Sequence, residues 1–251
     1  MLYFVILFLK VFSKKIVMDR ATLAKASKAT YAMLGSKNKT ERIKDANAVM
    51  IGTGFRVIDV LSSRDILYLI NDDLKEVIIA HRGTDVSGFK TAPDLKSDFL
   101  IAMGQEEQGK QFKKRTSRTK SLMKEVPDDY KVWLVGHSYG GSSVNEALKG
   151  SKYTADRVDG VATFNAGFSL FSKAGVGADT ENKLRDKVIH YRTSDDVVSS
   201  SVRLNKPFGV VKEYRAKESV ISQVGKAIPS PLQPIFQTQA LLNTHKLDNF
   251  I

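Results

Sequence analysis

A serine hydroxyl attacks a carbonyl only when a base takes its proton, so a candidate nucleophile must be exposed near a histidine that a carboxylate orients. Ser138 stands in "VWLVGHSYGG", Val132 to Gly141, where four apolar residues run into Gly-His-Ser-Tyr-Gly. Taken alone, Gly-x-Ser-x-Gly is weak, because ordinary glycine and serine usage puts it in about one chain of this length in ten. Its surroundings add weight. Glycines at 136 and 140 are what a sharp strand-to-helix turn requires, since a side chain at either would meet neighbouring backbone. Such a turn lifts the hydroxyl out of the sheet, and the start of the next helix aims N–H groups at a developing negative charge.

A serine nucleophile on this turn needs an acid and then a base further along the chain. Two histidines follow Ser138. His190, in "KVIHYRT", shares a strand face with Val188 and Arg192 and reads as a histidine satisfied inside the fold. His245, in "LNTHKLDNF", follows every recognisable strand and is the candidate base. Asp195 and Asp196, in "YRTSDDVVSS", come after a strand and before His245, so either is a candidate acid; Asp248 is weaker because it follows the histidine. The oxyanion needs two donors, one from the residue after the nucleophile and one from a loop after an earlier strand. Tyr139 and Thr84, the latter in "AHRGTD", fill those places. Arg82 reads as a holder of that loop, through a carboxylate such as Asp85 or Asp98.

The elements that must position these groups are legible in outline. "MDRATLAKASKATYAML" spaces Leu23, Ala26, Ala29, Tyr31 and Leu34 as one helix face behind an Asp19 cap. "GFRVIDVLSS" and "DILYLIND", joined by Ser62, Ser63 and Arg64, predict an antiparallel hairpin. "EVIIAHRGTD" predicts a strand covered on both faces. After a loop from Val86 to Pro93, "DLKSDFLIAMG" and "EEQGKQFKKRTSRTKSLMKEV" predict helices. In the second, Phe112, Thr116, Thr119, Met123 and Val126 form the buried stripe. Lys110, Lys113, Lys114, Arg115, Arg118, Lys120 and Lys124 make the remainder a basic, solvated face, or a contact surface for phosphate or anionic lipid. The strand "KVWLV", the Ser138 turn and a helix to Gly150 follow, then strands in "VDGVATFNA" and "KVIHYRT" with a loop and a short helix between them. This alternation predicts an α/β fold, with a mostly parallel central sheet, helices on both faces and the antiparallel hairpin at its start.

Composition narrows the classes. A chain of 251 residues with 42% hydrophobic side chains suits one α/β domain, expected over residues 18–251. Without cysteine there is no disulfide, thiol nucleophile or thiolate metal site. That favours a reducing, intracellular compartment. His81, His137, His190 and His245 are too scattered to hold zinc on one helix face, and no metal or other cofactor is called for. Thirty-nine basic against 27 acidic residues give a net charge of +12, which points to an anionic neighbour. Nucleic acid fits poorly, because no Arg/Gly-rich tail or aromatic-interleaved basic motif is present; an anionic membrane surface fits better. Oligomeric state leaves no signature. Residues 1–17, "MLYFVILFLKVFSKKIV", are too short and too charged to span a bilayer and lack a cleavage site. They read as an anchor or signal-like extension, as sequence upstream of a true start at Met18, or as a packed edge element.

Taken together, "IIAHRGTD", "LVGHSYGG", "TFNAG", "DVV" and a late histidine resemble the class 3 lipase family of α/β-hydrolases, over about residues 48 to 250. The resemblance implies carboxyl-ester hydrolysis through an acyl-enzyme on acylglycerols or phospholipids. Ser138 would be the nucleophile, Asp196 the acid and His245 the base, with Thr84 and Tyr139 forming the oxyanion hole. The Asp-x-Val match is what selects Asp196 over Asp195. Three departures stand out. His81 and Tyr139 replace the family's usual phenylalanine and leucine, which implies an altered pocket; Val86 to Pro93 is short and polar where secreted fungal relatives carry a lid; and the first 47 residues have no counterpart. The apolar segment "IPSPLQPIF" is expected to line an acyl pocket or to pack as a loop. The competing expectation is a catalytically silent hydrolase fold serving as a basic membrane-binding or interaction module.

Overall fold

Strands whose residues are apolar without a break need cover on both sides, and here that cover comes from two separate parts of the chain. The computed structural model describes residues 18–34, 37–84, 106–167, 177–194, 196, 208–215 and 246–251. Expectations for residues 1–17, the loop at 86–93, the helix over 94–104, the segment 228–236, Asp195 and His245 lie outside the described residues.

Strands β1 (Arg56–Val57) and β2 (Ile66–Asn71) pair antiparallel, as the hairpin pattern predicted, and β2 pairs antiparallel in turn with β3 (Glu76–His81). From β3 onward the sheet is parallel, through β4 (Lys131–His137), β5 (Gly160–Phe164), β6 (Val188–Thr193) and β7 (Val210–Tyr214). Spatial order equals chain order across all seven strands. The sequence reading missed β7. Its five residues are exposed or half-exposed at the sheet edge, so they carry no alternation of apolar and polar positions.

Between the strands lie α-helices at Glu106–Lys124, Lys152–Arg157 and Ala178–Leu184, and one at Tyr139–Gly150 that follows the Ser138 turn. Two more precede the sheet. In chain order they are α1 (Arg20–Ala29), α2 (Lys39–Val49), α3 (Glu106–Lys124), α4 (Tyr139–Gly150), α5 (Lys152–Arg157) and α6 (Ala178–Leu184). Asp19 caps α1 as expected, its carboxylate accepting from the Thr22 N–H at 2.9 Å. Helix α2 was not foreseen, since Ala46 is its only fully buried residue and it makes no apolar stripe.

Alternation along each strand divides the core. Ile66, Tyr68, Val77, Ile79, Val132, Leu134, Val161 and Val188 face Leu122 and Met123 of α3, Val144 and Leu148 of α4, Ala155 of α5 and Leu184 of α6. The intervening residues, among them Leu67, Leu69, Ile78, Ala80, Trp133, Val135, Ala162, Phe164 and Tyr191, pack against α1, Met33, Ala46 of α2 and the C-terminal Leu247 and Phe250. Crossovers between successive neighbouring parallel strands share one hand and therefore land on one face. Helices do cover both faces, as predicted, but the second face is covered by the residues for which the family pattern gave no counterpart. Each large aliphatic side chain sealed in this way contributes about 1.5–3 kcal/mol of burial free energy.

Candidate active site

Ser138 ends β4 and begins α4 with φ 54° and ψ −126°, a backbone region that residues with a side chain rarely occupy. Its N–H donates to the Phe164 carbonyl at 2.9 Å, and its own carbonyl accepts from the Gly141 N–H at 2.9 Å. The turn is therefore fastened on one side to β5 and on the other to its own helix. The glycines around it have no room for a side chain. A Cβ on Gly136 would lie 2.4 Å from the Gly140 carbonyl group, and one on Gly140 would lie 2.3 Å from the His81 carbonyl oxygen. The sequence reading of a tight strand-to-helix turn is met in full.

The ends of the neighbouring strands gather around this turn. His81 pairs with Gly136 and His137 with Phe164 in register, so the residues after β3 and β5 flank Ser138. Gly83 shows how closely. A Cβ there would lie 3.3 Å from Ser138 Cβ and 2.6 Å from the His137 carbonyl oxygen. Thr84, half-buried, is the next residue. Tyr139 opens α4, where the first N–H groups have no acceptor within the helix. Gly83, which precedes one expected oxyanion donor, and Tyr139, the other, thus adjoin Ser138.

Asp196 is buried, at 2% exposure, just past β6, and its N–H reaches the Thr193 carbonyl at 3.3 Å. Asn165, with φ 44°, fixes this end of the sheet. Its side-chain oxygen accepts from the Thr193 N–H at 2.9 Å. β5 separates β4 from β6, so Ser138 and Asp196 follow the ends of strands whose axes are about 10 Å apart. His245, the expected base, lies outside the described residues; Lys246, which follows it, is described. Asp248, the weaker acid candidate, is an exposed residue paired with Lys28 at 2.6 Å.

Arg82 holds its loop through a carboxylate, as expected. Its guanidinium bonds Asp65, just before β2, at 2.8 Å, together with the Arg64 and Gly83 carbonyls; Asp85 and Asp98, the partners suggested by the sequence, lie outside the described residues. Arg115 joins from α3, donating to the Arg82 carbonyl at 2.7 Å and to Asp65 at 3.3 Å. Burial by itself would raise the Asp65 carboxyl, but the Arg82 hydrogen bond and the charges of both arginines outweigh it and hold the group below its ordinary value. The Arg115 guanidinium also lies 4.9 Å from the centre of the Tyr139 ring, which stacks on Phe112 at 4.8 Å. Arg115 is therefore buried, not part of a solvated basic face. The signal was present, because Arg115, Thr119, Leu122 and Val126 follow helical spacing on the buried stripe.

Both unusual residues relative to the family pattern face the core. Tyr139 has its ring against α3, only 5% exposed, and its hydroxyl has no hydrogen-bond partner among the described residues. His81 is fully buried, with Nδ1 at 2.9 Å from the Ser143 hydroxyl and Nε2 at 2.9 Å from the Thr119 hydroxyl. Thr119 donates its own proton to the Arg115 carbonyl, so it accepts from His81 Nε2–H and the ring is neutral. Burial pulls the His81 pKa down to about 3. These rings brace α3 and α4. His190 is the satisfied strand histidine expected of it. Thr163 bonds its Nδ1 at 2.7 Å, Nε2 donates to the Phe208 carbonyl at 2.8 Å, and burial lowers its pKa to about 4.

A further residue of the neighbourhood, Tyr31, was read only as part of a helix face. Its hydroxyl bonds His137 Nδ1 at 2.7 Å, beside Ser138 and over Gly83. The N-terminal cover thereby touches the turn itself. Among the described residues no group of side chains is arranged to hold a metal ion, and no helix is long and apolar enough to cross a membrane.

No family model and no curated protein matches the chain. Among solved structures it is similar to a lipase from Rhizopus microsporus var. chinensis, with 15% identity and a TM-score of 0.39 over 79% of this chain and 75% of that one. A fungal lipase aligns at 12% identity and a TM-score of 0.43, over 80% and 79% of the two chains. A triacylglycerol lipase from Penicillium expansum aligns at 17% identity and 0.39, over 78% and 77%. The chemistry assigned to this chain rests on its own residues and not on these likenesses.

Proposed function

We propose that the chain is a serine carboxyl-ester hydrolase that cleaves lipid esters, acylglycerols or phospholipids, through an acyl-enzyme. The observation that carries the reading is the Ser138 backbone, held at φ 54° and ψ −126° where a buried strand meets a buried helix. Strain of this kind costs about 1–3 kcal/mol and persists where the surroundings over-determine it, which is characteristic of functional turns. The lipid substrate class comes from the four segments and the late histidine that resemble class 3 lipases.

In this reading Ser138 Oγ bonds to the ester carbonyl carbon while His245 takes its proton. The carbonyl oxygen becomes an anion facing the N–H groups of Tyr139 and Thr84. Collapse expels the alcohol, to which His245 returns the proton, and water then releases the acid by the same steps. Asp196 orients the imidazole and stabilises its charged form without accepting the proton. Its burial beside β6, with Asn165 fixing the end of that strand, supports the assignment.

The test is labelling with a fluorophosphonate probe together with turnover of p-nitrophenyl acyl esters. Wild-type protein is expected to do both and Ser138→Ala neither. A wild-type protein inert in both assays overturns the reading. Asp196→Asn is expected to lower kcat by on the order of 10⁴, and a larger loss in Asp195→Asn moves the acid to its neighbour.

A further inference from the structure

The seven basic residues of α3 separate by type. Arg115 and Arg118 turn toward the body of the protein, Arg115 to Arg82 and Asp65 and Arg118 to the Leu61 carbonyl at 2.8 Å. Lys110, Lys113, Lys114, Lys120 and Lys124 are all exposed. At 3.6 residues per turn these five lie within an arc of about 120°, in a row roughly 21 Å long. No acidic residue occurs from Gly109 to Lys124.

Elsewhere on the described surface lysines are commonly neutralised. Lys28, Lys37, Lys39, Lys75, Lys149, Lys152 and Lys183 each pair with a carboxylate. None of the five α3 lysines does so among the described residues, although the chain has 27 acidic side chains. The row is a concentration of positive charge without an ion pair among the described residues, on the outer side of the helix whose inner side holds Tyr139 and Arg82.

We propose that the outer face of α3 docks the protein on an anionic lipid bilayer through Lys110, Lys113, Lys114, Lys120 and Lys124. Lysine is a compact, strongly hydrated charge suited to diffuse attraction by a laterally continuous layer of head groups, whereas arginine is the residue suited to bidentate grip on single phosphates. None of the large hydrophobic side chains exposed among the described residues lies on α3, so the face offers neither a stacking platform for bases nor a wedge for insertion. Attachment is therefore electrostatic and released by salt. This deepens the lipid-ester reading and rests on it for the choice of a lipid surface, since it names where the substrate phase is met.

The experiment is co-sedimentation of the full chain with vesicles of phosphatidylcholine alone, or with about one third phosphatidylglycerol, at low salt and at about 0.5 M salt. Wild-type protein is expected on the anionic vesicles at low salt only. The variant K113Q/K114Q/K120Q is expected to lose on the order of 100-fold in partition coefficient, by the usual contribution of each basic residue near such a surface. The charge-matched variant K28Q/K37Q/K75Q, which alters lysines already paired, is expected to bind like wild type, with circular dichroism checking that both fold. Ser138→Ala, which tests the hydrolase reading by losing turnover, is expected to bind vesicles undiminished. The inference is overturned by equal binding to neutral vesicles, by equal loss in the two triple variants, by loss in Ser138→Ala, or by preference for an oligonucleotide over anionic vesicles at matched phosphate and salt.

Discussion

Arg115 donates to the carbonyl oxygen of Arg82 at 2.7 Å, fastening helix α3 to the loop that carries Thr84. The same guanidinium reaches Asp65 and covers the Tyr139 ring, so one side chain touches both sides of the expected oxyanion site. Arg115→Met keeps most of the volume and removes the donors. It is expected to lower kcat by about 10- to 100-fold with a smaller change in KM, as misplacement of a catalytic donor does. Arg115→Lys should not restore the rate, because one ammonium cannot span the Arg82 carbonyl and Asp65 together. Steady-state ester hydrolysis decides this, and wild-type rates in the lysine variant would refute the bridging role.

Strain at Ser138 should be recoverable as stability. Glycine accepts φ 54° without penalty, so Ser138→Gly is expected to raise stability by about 1 kcal/mol while abolishing turnover. For a chain of this size that is a rise of about 2–4 °C in Tm, readable by calorimetry. A lower Tm would mean that the hydroxyl contributes more than the backbone strain removes.

The buried Tyr139 hydroxyl, without a partner among the described residues, is a second place where another residue is expected to be more stable. Burial raises its pKa, with the Arg115 charge acting in the opposite direction. Tyr139→Phe deletes the orphaned group and leaves the stack on Phe112, so a gain of about 1 kcal/mol is expected in urea unfolding. A loss of that size would point to a bond formed by the hydroxyl in solution.

Two glycines make a matched pair. Gly140→Ala drives a methyl to 2.3 Å from the His81 carbonyl oxygen, backbone that cannot yield cheaply, and is expected to destabilise by about 3 kcal/mol or more. Gly109 has nothing within 4 Å and stands in a helix, so Gly109→Ala should stabilise by about 0.5–1 kcal/mol. Thermal unfolding of the two variants should move in opposite directions.

His81 and His190 fold as neutral rings, with pKa values of about 3 and about 4 against 6.5 when unfolded. Between those limits the unfolded chain binds protons that the native one does not, so stability rises with pH and is lost as pH falls from about 6.5 toward 4. Each ring contributes a slope of about 1.4 kcal/mol per pH unit in that window. His81→Phe should be less stable at pH 7.5, because it strands the Ser143 hydroxyl, yet show a shallower decline under acid. Parallel declines in urea midpoint would remove His81 as a source.

What the sequence made legible is what local pattern encodes. The Asp19 cap, the Val77–Ala80 run and the glycines of the Ser138 turn each act through neighbours in the chain, and each was readable. Helix α2 and β7 were not, because little or nothing in them is fully buried, and α5 was not, because its six residues are too few to show a period. Arg82 is legible as a loop holder, but its partner Asp65 is not. Asp65 lies 17 positions away and on another strand, where only the sheet register brings it into reach. Arg115 and Tyr31 were named for charge and apolar spacing, while their roles depend on which face of the sheet their helices cover.

Every strand of the sheet pairs with the strand made just before it, so a chain emerging from the ribosome can add each one to an edge already in place. Phe250 is different. It packs on Phe164, Tyr191 and Tyr214, and its carbonyl accepts from Arg20, 230 positions earlier. That closure waits for the residues that follow His245. During synthesis, then, the strained serine is made long before the candidate base, and the two can meet only after the residues around His245 have emerged.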